Sequence, residues 1–430
     1  MVRRSALVRL LGCLLGGLLA GQGVALLPSA GWAIAAPVET PPPTPVPPFG
    51  SPSPFVSRLA TPSPAAEPPR VSAPSAVLAD LDTGQVLFEQ GGRIRRPIAS
   101  LTKIMTALLV LERARLGDEV VVSELPASPD GNLGLSELGL EPGERISVGD
   151  LLYALLLQSA NDAALALAEH VAGSVDRFVR LMNLRARRLG MRGTAFRSPS
   201  GLDDRGTSTA LDLVRLTRAA YRDPRFARIV AQRFHEIPAP GGGIRRIQNR
   251  NVLLWLYPGA VGVKTGYTGA AGYCVVAVAE RDGLRLVAVV LGASTPASAF
   301  SDAAALLDHG FFAYERRVLV RVGEPFGWVD LVGGRVPVAA GASLEALVPE
   351  AAGSGPTSSV RVDPTAAFPP RRGERVGTVV FRLPGMTLGS VPLVVADVPP
   401  PPPPPAGSWW GRALAAVVDG VLGVLRALLA

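Results

Sequence analysis

Proline decides where this chain can fold. Fourteen prolines fall between Pro37 and Pro74, mixed with Ser, Thr and Ala and lacking any hydrophobic period, and seven more run unbroken from Pro399 to Pro405. Proline has a fixed φ and no amide proton to give to a helix or a sheet ladder, so both stretches read as extended spacers. Packed structure is therefore confined to the sequence between them. A chain of 430 residues exceeds a typical single core, which predicts two folded domains within that interval.

The two ends of the chain both point to a membrane. Arg3, Arg4 and Arg9 precede an apolar run from Leu10 to Ala20, and Ala33-Ile34-Ala35 offers small residues for cleavage, the pattern of a secretory signal over residues 1–35. A linker, 36–72, follows it. Beyond the second spacer, 399–406, residues 407–430 are mostly Ala, Val and Leu but carry Arg412, Asp419 and Arg426. Seven-residue spacing drifts only about 20° per step on a helix, so the three charges form one narrow polar stripe opposite a broad apolar face. With Trp409 and Trp410 at its start, this segment is expected to lie as an amphipathic anchor on the membrane surface. The expected location is the extracytoplasmic face of the cytoplasmic membrane, reached by export.

Between the spacers the patterning changes once. Residues 73–314 mix strands and helices. Ala76–Asp80 and Gln85–Phe88 flank a tight turn at Asp82-Thr83-Gly84, an apolar helix fits Ser100–Arg115, and two helical patterns, Val148–Leu157 and Asp162–Val171, are interrupted at Gln158-Ser159-Ala160. Helices are also expected at Asp176–Leu189, Ala210–Tyr221 and Ser301–Phe312, with strands dominating Ala260–Leu291. Residues 315–398 instead show short β-rich runs such as Val376–Phe381 and Val391–Val395, punctuated by Gly and Pro. The reading is an α/β domain followed by a small all-β domain.

The formal net charge of +8 invites a polyanionic partner. The basic residues are scattered, however, with no run interleaved with aromatics, so nucleic-acid binding is not expected. Their identity is more telling: of 43 Lys+Arg, only Lys103 and Lys264 are lysine. A guanidinium cannot deprotonate at ordinary pH, so lysine kept at two places alone points to a need for an amine there. His170, His235 and His309 are far apart with no metal-ligand spacing, and neither a metal nor a cofactor is expected. Cys13 falls in the signal, leaving Cys274 as a buried strand residue rather than a reactive thiol.

Both lysines sit in motifs. Ser100-Leu101-Thr102-Lys103 places a hydroxyl and an amine three residues apart, on one face of a helix that should begin at Ser100. There the serine oxygen is near unsatisfied backbone N–H groups, and Lys103 can act as its base if burial or a second cation lowers its pKa. Ser159-Ala160-Asn161 lies at the break between two helical patterns, where a turn can aim both polar side chains into a cleft or simply cap a helix. Lys264-Thr265-Gly266, on a predicted strand, supplies a cation, a hydroxyl and a residue with no side chain to obstruct an extended peptide. Each is weak alone. Together they occur once each, in order, and the chain's two lysines fill both lysine positions.

This set resembles the low-molecular-mass penicillin-binding proteins of the D-alanyl-D-alanine carboxypeptidase family. The similarity extends over Pro97–Ala107, Gln158–Ala163, Ser198–Asp203, Gly262–Thr268 and Ala271–Cys274, and in all spans about residues 73–398. The resemblance implies a β-lactamase/transpeptidase-like catalytic domain, an antiparallel sheet flanked by helices, followed by the small all-β domain. It implies a serine-type carboxypeptidase that removes the terminal D-alanine from peptidoglycan stem pentapeptides through an acyl-enzyme, with β-lactams as covalent inhibitors. By the same resemblance Ser100 attacks, Lys103 accepts its proton, and Ser159 and Asn161 relay a proton and orient the substrate amide. Lys264, Thr265, Gly266 and Tyr267 bind substrate, the backbone N–H groups of Ser100 and Tyr267 forming the oxyanion hole.

The chain departs from the family at two places. Ser200 stands where many relatives have His, and Ala299 stands where many have an Arg that helps hold the substrate carboxylate. The second departure leaves room for a D,D-endopeptidase, and a catalytically idle wall-binding protein is the alternative from a different class.

Overall fold

The computed structural model describes residues 68–127, 136–350, 355–366, 368–396 and Val418. The expected signal, most of the first linker, the second spacer and the amphipathic anchor, Val418 apart, lie outside these residues. Among the described residues no helix is long and apolar enough to cross a membrane.

The first half is built on one antiparallel sheet. Strand β1 (Ser75–Asp80) turns back into β2 (Val86–Gln90) through a turn in which the Asp80 carboxylate accepts the Asp82 N–H at 2.8 Å and Gly84 takes φ +79°. Three later strands, β3 (Ala260–Thr268), β4 (Gly272–Arg281) and β5 (Leu284–Ala293), complete it in the order β2-β1-β5-β4-β3. The central strands are apolar on both faces because both faces are covered. Val77, Val276, Val278, Val287 and Val289 join a core shared with the helices that carry the serine motifs. Their neighbours Ala76, Leu78, Val275, Ala277 and Val290 face the opposite way, into a second core.

Helix α1 (Lys103–Arg113) runs through the first core, and every residue from Lys103 to Leu111 is buried. That explains why its sequence is apolar nearly all round rather than along one stripe. Around it lie α2 (Val148–Tyr153), α3 (Asn161–Ala172), α4 (Val175–Arg188) and α5 (Ala210–Ala220). The interruption expected at Gln158-Ser159-Ala160 is present: α2 passes into a π turn, Ala154–Gln158, before α3 begins.

Two helix starts differ from the sequence reading. The turn Ala99–Thr102 that holds Ser100 is 3-10, and the α-helix proper begins at Lys103. Helix α6 (Pro296–Ala313), expected from Ser301, begins five residues earlier. Its start is a capping box in which Thr295 Oγ1 accepts the Ser298 N–H and Ser298 Oγ accepts the Thr295 N–H, with Pro296 at the first helical position where it loses no hydrogen bond. Ala299 and Phe300 consequently lie in the first turn of a helix.

The β-rich half holds β6 (Tyr314–Val320) paired with β9 (Leu344–Pro349), and a five-stranded sheet. The sheet runs β7 (Pro325–Leu331), β8 (Gly334–Ala340), β12 (Met386–Val395), β11 (Arg375–Leu383), β10 (Thr357–Val362), all pairs antiparallel. It closes over its own core of Val338, Val348, Val379, Leu393 and their neighbours. Gln85 ties it to the first half: its Nε2 donates to Leu347 O at 2.6 Å and its Oε1 accepts from Leu347 N at 2.8 Å, while Tyr314 Oη donates to Leu87 O at 3.0 Å. Replacing Gln85 with alanine leaves a backbone donor and acceptor of buried Leu347 without partners. We expect a loss of about 1–3 kcal/mol in urea unfolding, and an unchanged midpoint would show that the clamp contributes nothing.

Candidate active site

The serine motifs converge because three local devices point them at one cleft. The first is the 3-10 turn at Ser100, entered through Ala99 in a left-handed conformation (φ +45°). The second is Ser159, also left-handed (φ +70°), which ends the π turn and redirects the chain into α3. Non-glycine residues adopt such backbone rarely and at a cost, and two of the three instances among the described residues flank this one site. The third is β3, an edge strand of the sheet, which presents Thr265, Gly266 and Tyr267. A Cβ on Gly266 would stand 3.0 Å from the Ser100 amide nitrogen and 3.1 Å from Ile98 O. Glycine is what lets the strand backbone approach the serine turn.

The result is a cleft of about 570 Å³ lined by Ser100, Ser159, Asn161, Thr265, Gly266 and Tyr267. Lys103 and Lys264 are buried beneath it. All eight residues singled out in the sequence are thus brought to one place. A hollow of about 610 Å³ beside Phe234 and His235 is no smaller, but it contains no hydroxyl paired with an amine.

The Lys103 amine has three neighbours within hydrogen-bond distance: Ser100 Oγ at 3.0 Å, Asn161 Oδ1 at 2.8 Å and Ser200 O at 2.8 Å. Burial, followed by the positive charges of Lys264 and Arg250, holds its pKa well below the ordinary lysine value. In the neutral amine two protons suffice for Asn161 and Ser200, both of which only accept here. The lone pair is then left for the Ser100 hydroxyl proton. This is the geometry of a nucleophile with its base.

Lys264 differs in kind. Its Nζ donates to Thr265 O at 2.9 Å, and burial, with the Arg250 charge second, brings its pKa down to about 7. Near neutrality it supplies a charge that alkali removes. Tyr267 is exposed and stacks on Tyr273 with ring centroids 4.3 Å apart, forming one wall of the cleft.

Several residues that shape the site carried no sequence signal of their own. Asp162 is buried, and its carboxylate accepts from the backbone N–H groups of Leu138, Gly139, Leu140 and Ala163 at 2.8–3.2 Å, fixing the segment beside Asn161. Ser200, notable in sequence for its side chain, acts through its carbonyl. Its loop is held by Thr106 Oγ1 donating to Pro199 O at 2.7 Å, and Gly201 (φ +85°) permits a backbone approach to Ala99 O that a Cβ would block at 2.0 Å. Arg250 also lines the cleft, as does Ala299. Cys274 is a buried strand residue, its thiol pushed up to about 11 by burial.

A family model described as D-alanyl-D-alanine carboxypeptidase matches residues 63–295. Among curated proteins the chain is similar to the D-alanyl-D-alanine carboxypeptidase DacF of Bacillus subtilis, at 32% identity over 76% of this chain and 85% of that protein. It is also similar to DacC of Escherichia coli, at 35% identity over 77% of this chain and 85% of that one. Among solved structures it resembles penicillin binding protein 5 from Haemophilus influenzae, with a TM-score of 0.67 and 29% identity over 77% of this chain and 98% of the other.

The Lys264 burial predicts a measurable trade between stability and charge. Unfolding restores the ordinary lysine pKa of about 10.4, so between pH 7 and that value the unfolded chain binds more protons at this position and stability rises with pH. Below about pH 7 the penalty is complete. Lys264→Met should therefore raise the thermal midpoint at pH 7, with the gain shrinking as pH approaches 10. A gain that does not change with pH would assign it to packing instead.

Proposed function

The chain belongs to the D-alanyl-D-alanine carboxypeptidase family, and from that premise we propose how its site performs the reaction. Lys103, as the neutral amine, takes the Ser100 proton while Ser100 Oγ attacks the carbonyl between the two terminal D-alanines of a peptidoglycan stem peptide. The oxyanion is held by the backbone N–H groups of Ser100 and Tyr267, donors that the Gly266 approach keeps adjacent. Ser159 and Asn161 carry the proton to the departing amine and hold the substrate amide. D-Alanine leaves, and water cleaves the ester between Ser100 and the shortened peptide, returning the proton to Ser100 through Lys103. Thr265 and the Lys264 charge bind the substrate, whose backbone adds along the free edge of β3. A β-lactam enters by the same attack and remains as the acyl-enzyme.

The observation that carries this reading is the trio of contacts at the Lys103 amine, since it leaves one lone pair and one hydroxyl facing each other. The enzyme is a serine-type D-Ala-D-Ala carboxypeptidase, and its action belongs outside the cytoplasm, where peptidoglycan lies. We extend this to export by a signal over residues 1–35 and to attachment at the outer face of the cytoplasmic membrane through residues 407–430. The supports are the charge stripe of Arg412, Asp419 and Arg426 and the tryptophan pair before it.

Ser100→Ala should abolish the covalent penicillin adduct seen by intact mass while the protein stays folded, and an adduct of undiminished stoichiometry would remove Ser100 as nucleophile. Lys103→Arg puts a guanidinium that cannot deprotonate where the neutral base stood, so acylation should slow by roughly 10²–10⁴-fold. An acylation rate equal to that of the unaltered protein would remove Lys103 as base. Deleting residues 407–430 from the signal-cleaved protein should release it from membranes with hydrolysis of soluble substrate intact. Persistence in the membrane fraction would defeat the anchor.

A further inference from the structure

The free edge of β3 fixes which part of a bound peptide meets which side chain of the protein. Every pair in the sheet is antiparallel, and an extended peptide that adds to β3 in the same sense exchanges backbone hydrogen bonds with it. With the scissile carbonyl accepting from the Tyr267 N–H, the residue that carries this carbonyl lies opposite Tyr267. The leaving residue then falls opposite Gly266, and the residue on the other side falls opposite Thr268. Directly opposed residues send their side chains to the same face of a sheet. A Cβ on Gly266 would point at the Ser100 amide nitrogen, so Thr268, two residues further on, also faces the side of the serine turn.

Thr268 meets a carboxylate on that face. Its Oγ1 accepts the Ala271 N–H at 3.1 Å and donates to Asp204 Oδ1 at 2.5 Å. Asp204 is exposed and lines the cleft, the one acidic side chain among the described residues that do so. The turn that carries it is held from within. The Gly206 N–H donates to Asp203 O at 2.9 Å, and the Asp203 carboxylate accepts from the Arg205 backbone N–H at 3.0 Å and from its guanidinium at 2.7 and 2.9 Å. Arg205 is thereby committed to Asp203 rather than to Asp204. A carboxylate has two acceptor oxygens, and Thr268 takes one lone pair of one of them.

We propose that Asp204 binds an ammonium group on the side chain of the residue that precedes the two D-alanines, and so makes the enzyme favour stem peptides in which that amine is free over those in which it is acylated. The inference rests on reading Ser100 as the nucleophile and the Tyr267 N–H as an oxyanion donor, since these set the register. A long side chain opposite Thr268 runs along the cleft wall toward Asp204, and an ammonium there brings three N–H donors and a positive charge to an acceptor-only group. Acylation of the amine, as in a cross-link built on that residue, removes the charge and leaves one N–H. Removal of D-alanine by this enzyme accordingly belongs before the reaction that acylates the amine.

The test uses three peptides that end in D-Ala-D-Ala and differ only in the preceding residue: L-lysine, Nε-acetyl-L-lysine or L-norleucine. Release of D-alanine by the signal-cleaved enzyme gives kcat/KM for each at neutral pH and low ionic strength. The unaltered enzyme should favour lysine over both neutral residues by about 3–10-fold, between an open surface ion pair and a charge-assisted bond in a cleft, and added salt should shrink the preference. Asp204→Asn keeps an acceptor for Thr268 Oγ1 but loses the charge, and should bring the three peptides to within about twofold of one another. Asp204→Lys should reverse the order of lysine and norleucine. A lysine preference that survives in both variants overturns the proposal, as does an unaltered enzyme that turns over lysine and norleucine peptides alike. A purely structural role for Asp204, steadying Thr268, would slow all three peptides by one factor, and that result overturns it too. Penicillin adduct formation checks that each variant is folded. Ser100→Ala turning over any of the peptides would instead remove the nucleophile on which the register depends.

Discussion

An amine without a counter-ion, held in the core at the foot of a serine, is the constraint around which the first half of this molecule is arranged. Lys103 is fully buried, and the carboxylate whose charge acts on it, Asp162, is the smallest of the influences on its pKa. That carboxylate is occupied by four backbone N–H groups. Desolvation therefore outweighs attraction, and the ammonium form is disfavoured. The polar groups that do reach Lys103, Asn161 Oδ1 and Ser200 O, are uncharged acceptors, which satisfy its protons without restoring the charge. The apolar character of α1, the loop beneath Pro199 and the turn into α3 all serve this one environment.

The sheet determines what can reach that amine. Its two faces are covered by separate cores, so exchange with solvent or ligand is left to its edges, β2 and β3. On the β2 side the β-rich half attaches through Gln85 and Leu87. The β3 side carries Thr265, Gly266 and Tyr267 and borders the cleft. An uncovered edge is normally a liability, since it templates pairing with other chains. Here the same unpaired row suits an extended peptide, and the stacked rings of Tyr267 and Tyr273 line the cleft beside it. The cost of shaping the site is local, borne by left-handed backbone at Ala99 and Ser159 and by glycines at positions 201 and 266 where a Cβ would collide.

Much of this was legible in the residue order. Hydrophobic periods located α1, α3, α4 and the strands β3 to β5, and the break at Gln158-Ser159-Ala160 marked a turn that the structure contains. These are short-range properties, written in neighbouring side chains. The helix starts at Lys103 and Pro296 were misplaced because each depends on a local preference stronger than hydrophobic period: a tight 3-10 turn in one case, a Thr-Pro capping box in the other.

What the sequence determined, then, was which residue types could do chemistry: two lysines in an arginine-rich chain, each beside a hydroxyl residue, in an order that resembled one family. Tertiary structure alone decided which state and partner each has. Lys103 and Lys264 look alike in sequence, yet one faces a serine oxygen and two acceptors while the other is capped by its own strand, because burial and neighbour charge are properties of the assembled core. The work done by the Ser200 carbonyl and by the Asp162 carboxylate was invisible for the same reason. So was Arg250, one arginine among many until the fold set it on the cleft wall. A side chain's chemistry is written in its own formula, but its pKa and its partners are set by atoms distant in the chain, and only folding brings those atoms within reach.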